Sequence, residues 1–304
     1  MKKSVGRSKL KLVLVTIGIM LFTLFVFLPL LVSIFVGSHP GNVALIPLQG
    51  AITSDGDQSL GVTTISSKAI VNFIEDANAN DQVKVLLLEI NSPGGSAVAS
   101  DEIAAAVKKS KKPIVALIRE AGASGAYWIA SASDHIIANR MSITGSIGVV
   151  SSYLEFSGLM EEYGVGYERL VAGEKKDLGT PYKKLSDSER LILEKKLQKI
   201  HQFFVKEVAA NRNLELSYLQ NVATGEFYLG EEALEMGLVD QLGGKDQAEA
   251  FIQEQYGLKE INYHAYEYKV GFFDLLGRVS STFFFNIGEG IGSVFVKQPL
   301  GVLV

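Results

Sequence analysis

The chain has 304 residues, of which 47% are hydrophobic, and its formal net charge is −4. This length suits one large domain or two modest ones, and the small charge gives no electrostatic reason to expect a nucleic-acid partner. There is no cysteine, and none of the four histidines has the spacing of a metal site, so disulfides and thiolate catalysis are excluded and no metal or cofactor is predicted.

The first predicted element is an uncharged apolar run over residues 12–36, which follows a basic stretch at 1–11. As a helix this run would reach about 37 Å, longer than the roughly 30 Å hydrocarbon core of a bilayer. Because basic flanks stay in the cytoplasm, we predict a cytoplasmic tail at 1–11, a single-pass anchor in the cell membrane at 12–36, and the remainder outside. A cleaved signal peptide is the alternative, although its apolar region is normally shorter, at about 7–15 residues.

Beyond the anchor, short apolar runs alternate with helical patterns. Strands are predicted at residues 43–48, 83–90, 113–119 and 135–139. Helices are predicted at residues 64–78, 97–110, 124–133, 231–236 and 245–256. Apolar strands that alternate with helices indicate an α/β fold with a largely parallel sheet. We place this domain at residues 37–266.

A longer helix is predicted after Ser186, because Ser186 and Glu189 have the spacing of a capping box. Apolar residues then recur at helical spacing and are predicted to face the core. They are Leu193, Leu197, Ile200, Phe204 and Val208. Residues 267–304 are poor in charge and rich in Phe and Gly, so we expect an apolar C-terminal tail that suits an oligomer interface or a membrane surface.

Two glycine-containing turns each follow a predicted buried strand and precede a helix. The first is Pro93-Gly94-Gly95, and the second contains Ser124 and Gly125. Such turns present backbone N–H groups at a helix N-terminus, where negative charge is favoured. Taken alone, a serine before a helix is more often an N-cap than a nucleophile. A Pro-Gly-Gly turn is likewise more often a simple connection than part of an active site. Together they supply the nucleophile and the two donors that acyl transfer requires.

A base for Ser124 is harder to choose from the residues alone. His135 begins a predicted strand, and the other histidines lie in a linker, a helix and the C-terminal region. A Ser-His-Asp arrangement therefore has no convincing candidate. Lysine can replace histidine where burial lowers the lysine pKa from its usual value of about 10.4. Composition does not choose among the many lysines.

Four motifs point to a known family. In chain order they are NSPGG at 91–95, ASGAYWIA at 123–130, TGSIGVV at 144–150 and GEKKDLGTP at 173–181. Together, over roughly residues 43–255, they resemble the motifs of the signal peptide peptidase A family in its short form. The resemblance implies a layered α/β domain like that of the ClpP/crotonase superfamily, and the activity of a Ser-Lys serine protease.

The resemblance also implies a catalytic dyad. Ser124 matches the nucleophile of the family, and Lys176 matches the general base. Many relatives have a different pair of residues where this chain has Glu174 and Lys175, so Lys175 is the alternative base. Ala126 replaces a common glycine beside the nucleophile.

Three further residues match supporting positions of the family. Ser146 matches a second serine that holds the lysine ammonium, and Gly95 and Gly125 match the two oxyanion-hole donors. No cofactor is implied. Short members are expected to form homo-oligomers, and in these the two members of the dyad can come from neighbouring subunits.

The function that the resemblance implies is a membrane-anchored serine endopeptidase. Such an enzyme would contact membrane lipid. Its substrates would be remnant signal peptides and other hydrophobic peptides near the membrane. In such an enzyme the tail at 267–304 could also bind in the substrate groove and inhibit it. Two alternatives stay open: a crotonase-type acyl-CoA enzyme, which shares the fold and the paired amides, and a non-catalytic membrane scaffold with a protease-like fold.

Overall fold

The structure is a computed structural model that describes residues 4–28, 41–56 and 64–267. Helix α1 spans Ser4–Phe22 and continues as a π-helical stretch, Thr23–Phe27. Within the described ranges, no helix is both long enough and apolar enough to cross a membrane. The predicted anchor at 12–36 lies partly outside the described residues, and the predicted tail at 267–304 lies outside them except for residue 267.

A sheet of mostly parallel strands forms the centre of the domain. Its strands are β1 Val43–Gln49, β4 Val85–Ser92, β5 Ile114–Ala123, β6 His135–Ala138, β7 Ile143–Gly145, β8 Phe227–Leu229, β9 Gln241–Leu242 and β10 Tyr263–Ala265. The order is β10-β1-β4-β5-β6-β9, and β5 also pairs with β7, which pairs with β8. Of these pairs, only β7 with β8 is antiparallel. Strands β2 Ala51–Thr53 and β3 Thr64–Ser66 form a separate parallel pair.

The central strands are apolar because both faces of the sheet are covered. Residues 85–88 of β4 and 114–118 of β5 are all buried. The predicted α/β fold with a largely parallel sheet is therefore confirmed. Parallel strands joined by helices place the segments after their carboxyl ends at one edge of the sheet, where sites in such folds form.

The helices are α2 Ser67–Ala79, α3 Ala97–Lys108, α4 Gly125–Ser131, α5 Ser157–Glu162, α6 Asp187–Asn211, α7 Leu216–Val222, α8 Gly230–Glu235 and α9 Lys245–Tyr256. The capping box of Ser186 and Glu189 is present at the start of α6, as predicted. The predicted helix at 64–78 begins later than expected, because its first residues form strand β3 and Ser66 then caps α2 through the Ala69 amide.

The prediction that one whole stripe of α6 faces the core is wrong for its first half. Phe204 and Val208 are buried, whereas the other three members, Leu193, Leu197 and Ile200, are partly exposed. The buried apolar residues of α6 all lie between positions 204 and 209, where the ring of Phe204 stacks on Trp128 of α4. Helical spacing alone does not show where along a helix the core ends.

Residues 148–188, which we call the arm, contain no buried residue, and all of them are described by the structure. The arm holds the short helix α5 and the first two residues of α6, and otherwise consists of turns, bends and irregular chain. More than half of the surface is exposed on six large apolar side chains: Val150, Leu154, Leu159, Tyr163, Val165 and Leu170. Large apolar side chains that are exposed in such number on one segment commonly mark an interaction site.

Candidate active site

Ser124 lies on a strained turn between β5 and α4. Its φ is 53° and its ψ is −127°, a combination that residues other than glycine rarely adopt. Its amide donates to the Gly145 carbonyl at 2.8 Å, which holds this conformation in place. Although Ser124 stands at the N-cap position, its side chain makes no capping hydrogen bond. The Ser124 side chain therefore does not cap α4, although capping is the ordinary role of a serine before a helix.

The turn Pro93-Gly94-Gly95 lies directly against Ser124. Gly94 has a φ of +97°, and a Cβ on it would lie 2.9 Å from the Ser124 Cβ and 2.7 Å from the Gly125 nitrogen. Such distances are too short for any side chain, so glycine is required for the turn to approach the serine this closely.

The backbone of Gly95 lines the same cavity as Ser124. Its other side forms a parallel bridge to Ile52, in which the Ile52 amide donates to Gly94 and the Ser96 amide donates to Ile52. Because the flanking residues make both hydrogen bonds of the bridge, the Gly95 N–H is turned away from Ile52.

The Gly125 amide is a second available donor. Gly125 is the first residue of α4, and the first N–H groups of a helix have no acceptor within it. A Cβ on Gly125 would lie 3.5 Å from the Gly95 nitrogen, so the two amides are close neighbours. Two N–H groups beside a serine can together stabilise a developing oxyanion.

Ser146 stands beside Ser124 because the strands before them pair. In β5 and β7 Ala123 is opposite Gly145, and each serine is the next residue. Ser146 also has a positive φ, of 48°, and its hydroxyl donates to the Gly225 carbonyl at 3.2 Å. Strand β7 was not predicted, since three residues carry too little periodicity to reveal a strand.

A cavity of about 310 Å³ contains these groups. Its polar lining includes Ser124, Ser146 and the backbone of Gly95 and Gly125; its apolar lining includes Trp128, Val149, Val150 and Phe204. The rings of Trp128 and Phe204 stack with their centroids 4.7 Å apart. The cavity therefore joins a polar corner to a wall suited to an apolar side chain. The ASGAYWIA motif contained Trp128, but nothing in the sequence paired it with Phe204.

Lys176 does not line this cavity. It is exposed in a turn of the arm, where its amide donates to the Gly173 carbonyl at 2.9 Å. Among the described residues its ammonium has no ion pair, whereas the neighbouring Lys175 pairs with Glu174 at 2.9 Å. The structure thus brings together four of the five predicted site residues and leaves Lys176 apart from Ser124 within one chain.

His135 and His201 both make contacts of a structural kind. The ring of His135 stacks on Phe251 at 3.8 Å, and its Nε2 lies 3.3 Å from Gln241 Oε1. His201 lies 3.1 Å from the Ile147 carbonyl, and neither histidine lines the cavity. Neither is therefore placed to act as a base for Ser124.

A strained serine at a strand-to-helix turn, with two amides beside it, has the chemistry of a serine hydrolase. Comparison with known proteins identifies a family within the serine hydrolases: the model of peptidase family S49 matches residues 106–259. The chain belongs to peptidase family S49 and is a serine peptidase. The resemblance to the signal peptide peptidase A family is thereby confirmed.

Individual relatives agree with this assignment. A "Putative protease" of Methanocaldococcus jannaschii is 34% identical over 83% of this chain and 82% of its own length. A "Putative signal peptide peptidase SppA" of Enterococcus faecium is 34% identical over 70% of this chain and 63% of its own length. The "Serine protease SPPA, chloroplastic" of Arabidopsis thaliana is 30% identical over 70% of this chain, which spans only 32% of that longer protein.

Proposed function

We propose that this peptidase is a membrane-anchored endopeptidase with a Ser-Lys dyad formed by Ser124 and Lys176. The observation that carries the proposal is the convergence of Ser124, at a positive φ, with the amides of Gly95 and Gly125 in one cavity. The layered helices around its parallel sheet suit the ClpP/crotonase-like fold that the sequence motifs imply.

The proposed reaction begins when neutral Lys176 takes the proton of the Ser124 hydroxyl. The serine oxygen attacks the peptide carbonyl, and the Gly95 and Gly125 amides donate to the oxyanion. The lysine ammonium then protonates the leaving amine, which breaks the peptide bond and leaves an acyl-enzyme. Water that gives its proton to the lysine attacks the ester, and the lysine returns that proton to the Ser124 oxygen as the acyl product leaves. Ser146 accepts a hydrogen bond from the ammonium and so orients it.

A second copy of the chain is the proposed source of the lysine. Lys176 lies on the arm, which has no buried residue and exposes large apolar side chains, whereas Ser124 lies on the core. If the arm of one subunit covers the cavity of its neighbour, the apolar surface of the arm is removed from water and Lys176 reaches Ser124. Its lack of an ion partner within the described part of its own chain fits a residue that acts elsewhere.

Hydrophobic peptides are the proposed substrates. Trp128, Phe204 and Val150 line the cavity beside the serine and suit an aliphatic or aromatic side chain of a peptide. The uncharged run at 12–36, preceded by basic residues, supports an anchor that would hold the domain at the outer face of the membrane. Remnant signal peptides combine both properties, since they are apolar and lie at the membrane.

Mixed oligomers test the proposal. Ser124→Ala and Lys176→Ala chains with different tags are expressed together, isolated through both tags and assayed with a soluble peptide. Each variant alone should be inactive. If subunits exchange at random, a site receives both dyad members in about a quarter of cases, and isolation through both tags raises this share. At least about a quarter of wild-type activity should therefore return. Two differently tagged Ser124→Ala chains are the control and should show none. No recovery in isolated mixed oligomers would contradict a dyad between subunits.

The alternatives left open by the sequence are now disfavoured. A crotonase-type acyl-CoA enzyme and a non-catalytic scaffold both conflict with membership of a peptidase family. Labelling of Ser124 by a fluorophosphonate, together with peptide hydrolysis, would separate the peptidase from both of them.

A further inference from the structure

The turn that carries Lys176 has no buried residue. Glycines with positive φ stand on both sides, Gly173 at +92° and Gly179 at +81°. Inside the turn the Lys176 amide donates to Gly173 at 2.9 Å, and the Leu178 amide donates to Lys175 at 3.3 Å. Segments with few buried contacts open at low free energy. A base in such a turn needs another means of staying in place, since a misplacement of about 1 Å can lower the rate about a hundredfold.

One guanidinium spans the turn. Arg169 donates to both carboxylate oxygens of Asp177, through Nε at 2.6 Å and through Nη2 at 2.8 Å, and Nη2 also donates to the Glu174 carbonyl at 2.9 Å. Glu174 and Asp177 lie on either side of the two lysines. Bidentate arginine–carboxylate pairs are the strongest and most directional of the common ion pairs. The Asp177 side chain is only 11% exposed, so water competes little for it.

A second cation connects the turn to the core. Lys183 lies 3.3 Å from Asp177 Oδ2 and 2.8 Å from Glu189 Oε1. Glu189 belongs to the capping box of α6, the helix that is buried further along at Phe204 and Val208. A continuous set of charge-assisted bonds therefore runs from the Lys176 turn to a helix anchored in the domain.

We propose that Arg169 and Asp177 are positioning residues for Lys176, with Lys183 and Glu189 connecting them to α6. This inference rests on the proposed function, because it assumes that Lys176 is the base. The pair has a second consequence. Hydrogen bonds from Arg169, and also from Lys183, hold the pKa of Asp177 well below its usual range, so this carboxylate is already engaged and does not capture the adjacent Lys176 as an ion pair.

Arg169→Met and Asp177→Asn each break the pair and test the proposal. We expect kcat for a soluble peptide to fall about a hundredfold, because the base is misplaced, while KM changes less than about threefold, since neither residue lines the substrate cavity. The double variant should be no worse than either single variant. Lys108→Met is the matched control: it breaks the exposed ion pair of Lys108 with Glu207, which lies outside the arm and does not line the cavity, and it should leave kcat unchanged.

Charge reversal separates positioning from a loss of structure. Arg169→Asp and Asp177→Arg should each lower kcat, and the chain with both changes should recover at least tenfold over either one. Oligomeric state is measured for every variant, and kcat is expressed per assembled enzyme. The inference is overturned if both single variants keep wild-type kcat per assembled enzyme, or if reversal of the pair gives no recovery. If Lys176→Ala itself keeps full activity, the proposed dyad fails instead, which is a different result.

Discussion

The sheet domain and the arm place their halves of the proposed site in different physical settings. Ser124, Gly95, Gly125 and Ser146 follow strands in which most residues are buried, and backbone hydrogen bonds fix each of the two turns. The arm at 148–188 has no buried residue, and side-chain ion pairs fix its turn at Lys176 instead. The proposed nucleophile and oxyanion donors are thus preorganised in one chain, whereas the proposed base lies in a segment held mainly by ion pairs.

This difference suggests how activity can depend on assembly. Preorganised hydrogen-bond donors need no rearrangement when negative charge develops on the substrate. The sheet domain of a single chain can therefore hold the serine and both amides in their working positions. An exposed base that requires a neighbouring subunit is complete only in the oligomer. A single dissociated chain would then have a formed nucleophile and no base, which would prevent hydrolysis away from the assembled enzyme.

The largest effects are expected at the dyad. Ser124→Ala and Lys176→Ala should each lower peptide hydrolysis by at least about a thousandfold, and the double variant should be no worse, because the two residues act as a unit. Lys175→Ala is the matched control in the same turn, and its effect should be mild. Initial rates with a fluorogenic peptide measure all four. Loss of activity in Lys175→Ala, with activity kept in Lys176→Ala, would assign the base to Lys175.

The substitution Gly95→Ala tests the proposed oxyanion hole in the sheet domain. A Cβ there would lie 2.1 Å from the Ile52 carbonyl oxygen, so Gly95→Ala must displace the turn and its amide. Loss of one oxyanion donor costs about a hundredfold to a thousandfold in kcat. Gly166→Ala, where a Cβ in the arm meets nothing within 4 Å, is the control and should be nearly neutral. Normal kcat in a folded Gly95→Ala enzyme would remove Gly95 from the oxyanion hole.

Ser146 joins the two regions in the proposed mechanism, and its effect should be smaller. A hydrogen bond to a charged group contributes about 1.5–3 kcal/mol, so Ser146→Ala should lower kcat about tenfold to a hundredfold. Activity of the wild-type enzyme should rise with pH as the base loses its proton, and Ser146→Ala should shift the midpoint of that rise. The pH dependence of kcat measures both effects. An unchanged midpoint would leave Ser146 with only its contact to Gly225.

Sequence patterns predicted the rigid region far better than the arm. The strands predicted at 83–90 and 113–119 are nearly continuous apolar runs, and the structure has strands at Val85–Ser92 and Ile114–Ala123. The helix predicted at 245–256 has the bounds that the structure shows. Core burial imposes such patterns, so they can be read from the residues. The pairing of β7 with β5, which puts Ser146 beside Ser124, depends on long-range contacts that no short segment encodes.

The arm lacks a pattern because nothing in the described part of the chain buries it. Its large apolar residues do not recur at one regular spacing, because none of them is buried against a described helix or strand that would require such a spacing. The family motif identified Lys176, but the residues that hold its turn, Arg169 and Lys183, became visible only as contacts to Asp177. In the proposed mechanism, the placement of the lysine relative to the serine is likewise a property of an assembly and not of one segment.

The smallest expected effect is a selective loosening of the arm in acid. Hydrogen bonds from Lys183, and also from the Ser186 amide and hydroxyl, lower the pKa of Glu189 from 4.5 to about 2. A carboxyl whose pKa is depressed in the folded state stabilises that state above its unfolded pKa, and this contribution is lost as pH falls from about 4.5 through 2. Asp177 shifts in the same direction. The ion pairs that tie the arm to α6 should therefore weaken over this range.

Limited pepsin digestion between pH 4.5 and 2 measures this loosening, with rates normalised to an unstructured substrate at each pH. Cuts within 148–188 should increase more steeply than cuts within β4 and β5, whose order comes from burial and not from charge. Glu189→Gln removes the titrating group, so its arm should already be more sensitive at pH 4.5 and should change less on acidification. Equal acceleration of cuts in both regions would mean that the domain unfolds as one unit, and the contrast between a rigid core and a charge-held arm would then be wrong.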